Sequence, residues 1–345
     1  MRTFVGALLV VAASVGSTNT TRATTPDADR ALAAWALEKF DGHAHQAVVV
    51  RDGAIVAAAA GPPDSISYPQ RVASISKMVT ATAVLRLVEA GRLALDTPVF
   101  RILPELFVGT DSSWSDLEVD DLLTHRSGLP TNTEKWFDDT WFSCRDAVVD
   151  QLTNATHATT YAYSNTNYCL LSLIVAAVTM KPYAAAVRSL VFAPLGIDDV
   201  RFDVAYLNLL GAGAWRISAP DVARLTCTID PESPRTEFCP DGFLSDLSRR
   251  SLVGASTSEY GRGVMRWTTG AWGHSGTLDE ARVLTLHLPD GTIGVLLSQY
   301  TMDREPPVAS GTRLYPWVEE MVEATVRVTV RATVRATGGT MGTPP

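Results

Sequence analysis

The chain has 345 residues, 46% hydrophobic and 19% charged, a globular composition long enough to bury a sizeable core. Formal net charge is −8, and no run of Lys and Arg is long enough to track phosphates, which excludes nucleic-acid binding as its role. No apolar segment reaches the about 20 residues that a bilayer span needs, which excludes stable membrane insertion.

In chain order, the first element reads as an export signal over residues 1–24. Met1 and Arg2 give a positive start, Phe4 to Val15 is almost all apolar, and small residues follow. The alternative is a buried helix of the mature fold. Residues 27–40 have helical spacing, with Leu32, Trp35, Ala36 and Phe40 on one face. Two apolar runs, 47–50 and 54–60, flank Arg51-Asp52-Gly53 and predict a hairpin. Ser76 to Ala90 is helical, with Gly91 as its stop. Short helices and loops fill 98–260, including helices over 167–180 and 219–228. Strand character returns at 259–267, 281–288 and 292–300, and a last helix is expected over 315–324.

Strands at both ends and helices between predict an α/β (α+β) fold: one antiparallel sheet from the N- and C-terminal segments, flanked by helices, with an inserted all-helical lobe. The expected main domain is 26–325, its α/β part 26–73 and 255–325, its lobe 74–254, with a low-complexity tail at 326–345. Cys144, Cys169, Cys227 and Cys239 form no C-x-x-C pair and hence no zinc or redox motif. In an exported chain they are free to form disulfides. Three pairings are open, among them Cys227 with Cys239 plus Cys144 with Cys169, and buried free thiols are a further alternative.

Three motifs carry candidate chemistry. Ser74-Ile-Ser-Lys77 puts a hydroxyl and an amine on one helix face, the hydroxyl near the positive helix end. A lysine able to lose its proton activates such a serine as a nucleophile. By chance alone, S-x-x-K occurs about once in a chain this long. Lysine is scarce, however: four lysines stand against 25 arginines. Arginine supplies charge but does not give up its proton, so Lys77 points to proton handling. Tyr163-Ser164-Asn165 offers a phenol as acid or base, and an amide for a polar substrate. His274-Ser275-Gly276-Thr277 offers a strand edge for an extended substrate, with Gly276 allowing close approach and His274 a possible donor. Each motif alone also reads blandly, as a cap with a surface lysine, a turn, or a loop histidine.

Together and in this order they resemble serine β-lactamases and penicillin-binding proteins, in the class C β-lactamase and D-alanyl-D-alanine carboxypeptidase branch with its related esterases. The flanking stretches 73–99, 122–130, 163–183, 192–202 and 211–225 resemble that family's landmarks. The resemblance implies Ser74 as acylated nucleophile, Lys77 as its activator, Tyr163 as acid/base, and Asn165, His274, Gly276 and Thr277 in substrate binding. Its oxyanion hole would use the backbone N–H groups of Ser74 and Thr277. It implies a secreted serine hydrolase needing no cofactor or metal, acting on a small-molecule or peptide ester, amide or β-lactam. Two departures favour a neutral substrate: His274 where the family often has lysine, and the acids Asp279 and Glu280 just after the motif. The alternative is a catalytically silent binding or assembly module on the same scaffold. A metal hydrolase finds only His43-Ala-His45, and an α/β-hydrolase would need the absent Gly-x-Ser-x-Gly. No oligomeric state is assigned.

Overall fold

A computed structural model describes residues 44–61, 65–131, 143–254, 259–267 and 270–299. The expected export signal (1–24), the helices over 27–40 and 315–324, His43 and the tail (326–345) lie outside the described residues.

The hairpin forms as its sequence predicts. Strands β1 (Ala44–Arg51) and β2 (Ala54–Gly61) pair antiparallel. Asp52 and Gly53 both take positive φ, 51° and 70°, the handedness that matches the strands' own twist. A Cβ at Gly53 would meet Thr236 Cγ2 at 2.6 Å, so glycine also lets the loop after residue 230 close over the turn. The chain returns to this sheet at its far end through β6 (Met265–Arg266), β7 (Trp272–Leu278), β8 (Ala281–His287) and β9 (Ile293–Gln299). The strand order is β2-β1-β9-β8-β7-β6, every pair antiparallel. Strands β1 and β9 are buried at successive residues and so on both faces, whereas edge strand β2 largely alternates exposed and half-buried positions.

Between the two halves of the sheet lie, in order, α1 (Ser76–Glu89), α2 (Val119–Leu123), α3 (Cys144–Asn154), α4 (Asn165–Thr179), α5 (Tyr183–Val187), α6 (Leu210–Gly213), α7 (Ala219–Ile229) and α8 (Asp246–Val253). Helix α1 is buried almost all round, which its sequence MVTATAVL permits, and so it is the central post rather than an amphipathic flank. It ends as expected at Gly91, φ 64°, where Arg92 N–H reaches back to Leu87 O at 3.0 Å.

A second, three-stranded sheet lies in the middle region: β3 (Gln70–Arg71), β5 (Trp215–Ile217) and β4 (Arg201–Phe202), in the order β3-β5-β4. It pins the segment before α1. Val72 N–H donates to Trp215 O at 3.1 Å, and Trp215 N–H donates to Ser76 Oγ at 3.2 Å. Gln46 ties the large sheet to the same neighbourhood, donating to Ser65 O and Tyr68 O and accepting from Ala219 N–H.

Of the possible cysteine pairings, Cys144–Cys169 and Cys227–Cys239 are the ones formed, spanning 25 and 12 residues. The first bolts α3 to α4 one turn beyond Asn165. Closing a loop of this size stabilises a fold by about 2–4 kcal/mol. Reduction, or the pair Cys144→Ser with Cys169→Ser, is therefore expected to lower the thermal midpoint in a calorimetric melt; an unchanged midpoint would show that the bridge constrains nothing.

Candidate active site

The backbone bends sharply where β3 of the small sheet hands over to α1. Ala73 takes φ 42°, a left-handed conformation that costs an alanine about 1 kcal/mol, and a single 3-10 turn over Ala73–Ile75 follows. This turn presents Ser74, half-buried, at the head of α1, and puts Lys77 directly behind it. Both follow from the three-residue spacing.

Lys77 is completely buried, and its Nζ has three neighbours: Ser74 Oγ at 3.0 Å, Asn165 Oδ1 at 2.7 Å and Ala212 O at 2.9 Å. Among the described residues no carboxylate pairs with it. Burial without a counter-charge pushes its pKa well below the ordinary lysine value. A neutral amine has two hydrogens and one lone pair. In that neutral form Asn165 Oδ1 and the Ala212 carbonyl, which can only accept from it, take the two hydrogens, and the lone pair is directed at the Ser74 hydroxyl.

Each acceptor is held by its own element. Asn165 opens α4, where Ser164 caps the helix by accepting from Thr166 N–H. Ala212 lies in α6, where Thr80 Oγ donates to Gly211 O at 2.7 Å. A Cβ at Gly211 would meet Tyr168 O at 2.5 Å, so only glycine lets α6 come this close to α4. The Tyr163 ring lies beside the amine, its centroid 5.0 Å from Lys77 Nζ. Ser74, Lys77, Tyr163 and Asn165 are thus brought together from two helices and the loop ahead of the second.

Strand β7 forms the opposite wall. A Cβ at Gly276 would meet Ser74 N at 2.7 Å and Ala73 Cβ at 2.8 Å, so the strand passes the backbone of Ser74 at a distance that only glycine allows. Thr277 follows, its Oγ1 buried and without a hydrogen-bond partner among the described residues. His274 is buried, with its ring centroid 6.3 Å from that of Tyr163. Its Nδ1 lies 2.6 Å from Ser275 O and must donate there, so its Nε2, 3.0 Å from the Tyr260 hydroxyl, is the acceptor. Burial and the nearby Lys77 lower its pKa to about 3. The donor role expected of His274 toward a substrate is therefore not available in this arrangement; the ring is a neutral part of the wall. Asp279 also differs from its sequence reading. Arg71 lies 3.5 Å away, and Arg71 and Arg216 both pair with Asp203 at 2.9 Å, so the acid is part of a balanced charge cluster.

Three participants escaped the sequence reading: Ala212, Tyr260 and His125. All lie in stretches noted as landmarks or strand, but Ala212 acts through its carbonyl, and the two rings act through packing. His125 is buried against Tyr163, centroids 4.4 Å apart, and burial and Lys77 hold its pKa well below the usual imidazole value. Among the described residues no cluster of three His, Cys, Asp or Glu could hold a metal ion.

This arrangement coincides with a family match. The chain belongs to the Beta-lactamase family, which it matches over residues 36–315. Among its relatives, penicillin-binding protein 4 of Amycolatopsis lactamdurans is 33% identical over 147 residues, 39% of each chain. Esterase EstB of Burkholderia gladioli is 36% identical over 148 residues, 38% of each. The matched stretches span about two-fifths of those relatives' length. Among solved structures, SurE with D-Leu superposes with a TM-score of 0.70 at 23% identity, covering 93% of this chain and 78% of that one. D-amino acid amidase from Ochrobactrum anthropi SV3 gives 0.70 at 18%, covering 89% and 99%. At these identities the likeness carries the fold: an antiparallel sheet with helices in the β-lactamase arrangement.

The close pass of β7 is open to test. Gly276→Ala is expected to push the strand from Ser74 N–H, costing about 1–3 kcal/mol of stability. It is expected to slow fluorophosphonate labelling of Ser74 by about 10²-fold, the scale of a lost oxyanion donor. Labelling at the wild-type rate would mean that the strand plays no part at the nucleophile.

Proposed function

We propose that the protein is a secreted serine hydrolase acting through an acyl-enzyme on Ser74, with a neutral ester or amide as substrate. The observation that carries this reading is the buried, uncompensated Lys77 amine 3.0 Å from Ser74 Oγ. Lys77 Nζ takes the hydroxyl proton as Ser74 Oγ bonds to the substrate carbonyl carbon. The developing oxyanion is received by the backbone N–H groups of Ser74 and Thr277, beside Gly276. The tetrahedral adduct expels its alcohol or amine, which takes a proton delivered through Tyr163. Water, deprotonated by the same groups, then attacks the acyl carbon, releases the acid and returns the proton to Ser74.

A neutral substrate is favoured because the β7 wall supplies no cation: His274 is uncharged, and Arg71 is already paired with Asp203 and Asp279. Relatives named as an esterase and as D-amino acid amidases are consistent with that class. Secretion is favoured by the N-terminal signal and the two disulfides, which persist in oxidising compartments.

Intact-mass measurement against p-nitrophenyl esters, D-amino acid amides and β-lactams is expected to find an acyl adduct on Ser74 that is absent from Ser74→Ala. Labelling of no residue by any of these, nor by fluorophosphonate, would favour the silent binding module. The pH profile follows from the sign of the Lys77 shift. As pH falls through its depressed pKa, the amine gains a proton and loses its lone pair, so kcat/KM is expected to fall on an acidic limb lying well below the ordinary lysine range. Lys77→Arg, protonated at every working pH, is expected to lose about 10³-fold in kcat. A Lys77→Arg enzyme within tenfold of wild type would contradict proton transfer to this amine.

A further inference from the structure

We propose that His125 is a positioning residue for Tyr163, holding the peptide on both sides of that tyrosine so that its ring stays against the lysine. The inference rests on the reading of Tyr163 as the proton carrier.

His125 lies just beyond α2, with its backbone at φ 56°, in the left-handed region that histidine, asparagine and aspartate enter more readily than most residues. That conformation turns two acceptors of one residue toward the chain around Tyr163. The His125 carbonyl accepts from Ala162 N–H at 2.8 Å. Its Nδ1 accepts from Ser164 N–H at 3.2 Å. The two peptide N–H groups that flank Tyr163 are thus anchored to one residue, and the ring of that residue packs on the tyrosine at 4.4 Å between centroids. Such double anchoring fixes the backbone of a single loop residue far more tightly than ring packing alone.

The imidazole is itself held in one state. A backbone N–H only donates, so Nδ1 must carry a lone pair. Asn167 Nδ2, 2.9 Å away, is a second donor to the same atom, oriented by Ser127 Oγ, which donates to Asn167 Oδ1 at 2.6 Å. The ring proton is therefore on Nε2. That atom is buried and has no hydrogen-bond partner among the described residues. The rings of Tyr163, Tyr168 and Tyr260 surround it, with centroids 4.4, 5.2 and 4.6 Å from its own, and their faces are weak acceptors for an N–H. Among the described residues, the groups that face the ring are Lys77, His274 and the phenols of Tyr161, Tyr163, Tyr168 and Tyr260, with no carboxylate paired to it. A proton on Nδ1 would oppose two donors and sit near the lysine. The geometry therefore excludes a shuttle role for this histidine and leaves an aligning one.

The test uses the difference between two amides. In His125→Asn, Oδ1 falls near the place of Nδ1 and accepts from Ser164 N–H, while asparagine tolerates the positive φ. In His125→Gln, the amide reaches instead toward the place of Nε2 and leaves Ser164 N–H without an acceptor. Kinetics on a p-nitrophenyl ester, with thermal melts of each variant, are expected to show kcat within about threefold of wild type for His125→Asn. For His125→Gln kcat is expected to fall by about 10²-fold, with KM within twofold. In a Tyr163→Phe background, His125→Gln is expected to lower kcat no further, because its effect passes through the tyrosine. Equal losses for the Asn and Gln variants, or additive losses with Tyr163→Phe, would overturn the proposal. So would a loss in His125→Asn as large as that of Tyr163→Phe, a comparison that decides even if the Gln variant does not fold. Wild-type kcat in Tyr163→Phe alone would instead overturn the role of Tyr163, a separate failure.

Discussion

An amine sealed from water, with no carboxylate beside it among the described residues, is a costly thing to keep, and the arrangement around Lys77 is organised by that cost. Burial disfavours a charged ammonium there and holds the group well below the ordinary lysine pKa, and a neutral amine needs two acceptors and leaves one direction over. Asn165 and Ala212 meet the need, and Ser74 occupies the remaining direction. Three segments distant in sequence must converge within hydrogen-bonding distance for this to hold. Much of the fold can be read as the means: the cap at Ser164, the glycine at 211, the threonine at 80 and the disulfide behind α4.

The same electrostatic economy extends across the cleft. His274 and His125 are both neutral, each locked into one tautomer by its neighbours, so that neither adds positive charge near Lys77. Arg71 and Arg216, on the small sheet beside Ser74, are balanced by Asp203 and Asp279. A region of this kind gives little purchase to a free carboxylate, which is why the proposed substrates are neutral. Tight backbone contact takes the place of charge: Gly276 brings β7 against Ser74, and the left-handed turn at Ala73 brings Ser74 out to meet it.

How much of this could be read beforehand varied with the physical range of the signal. Ser74 and Lys77 were legible because one helical turn fixes their relation locally. The hairpin at Asp52-Gly53 was legible because turn chemistry is local too. The scarcity of lysine was informative, since it separated proton handling from mere charge. The strands β3, β4 and β5 were not, being two or three residues each and too short to show alternation; the expected strand over 259–267 shrinks to Met265–Arg266 for a similar reason. Main-chain acceptors leave no trace in residue type, so Ala212 could not be picked out. His274 was seen, but its tautomer and the partner Tyr260 depend on packing. The pairing of Asp279 with Arg71 could not be foreseen, because nothing in the sequence places the two side by side.

The central claim, that burial holds Lys77 well below the ordinary lysine pKa, is open to direct observation because the chain has only four lysines, Lys39, Lys77, Lys135 and Lys181. With lysine labelled at Cε and Nζ, NMR titration follows each amine separately, and the Lys77→Arg protein assigns the signal that disappears. One resonance is expected to titrate well below the ordinary value of about 10.4, and to be the one lost on substitution. Four lysines titrating together near that value would contradict the account.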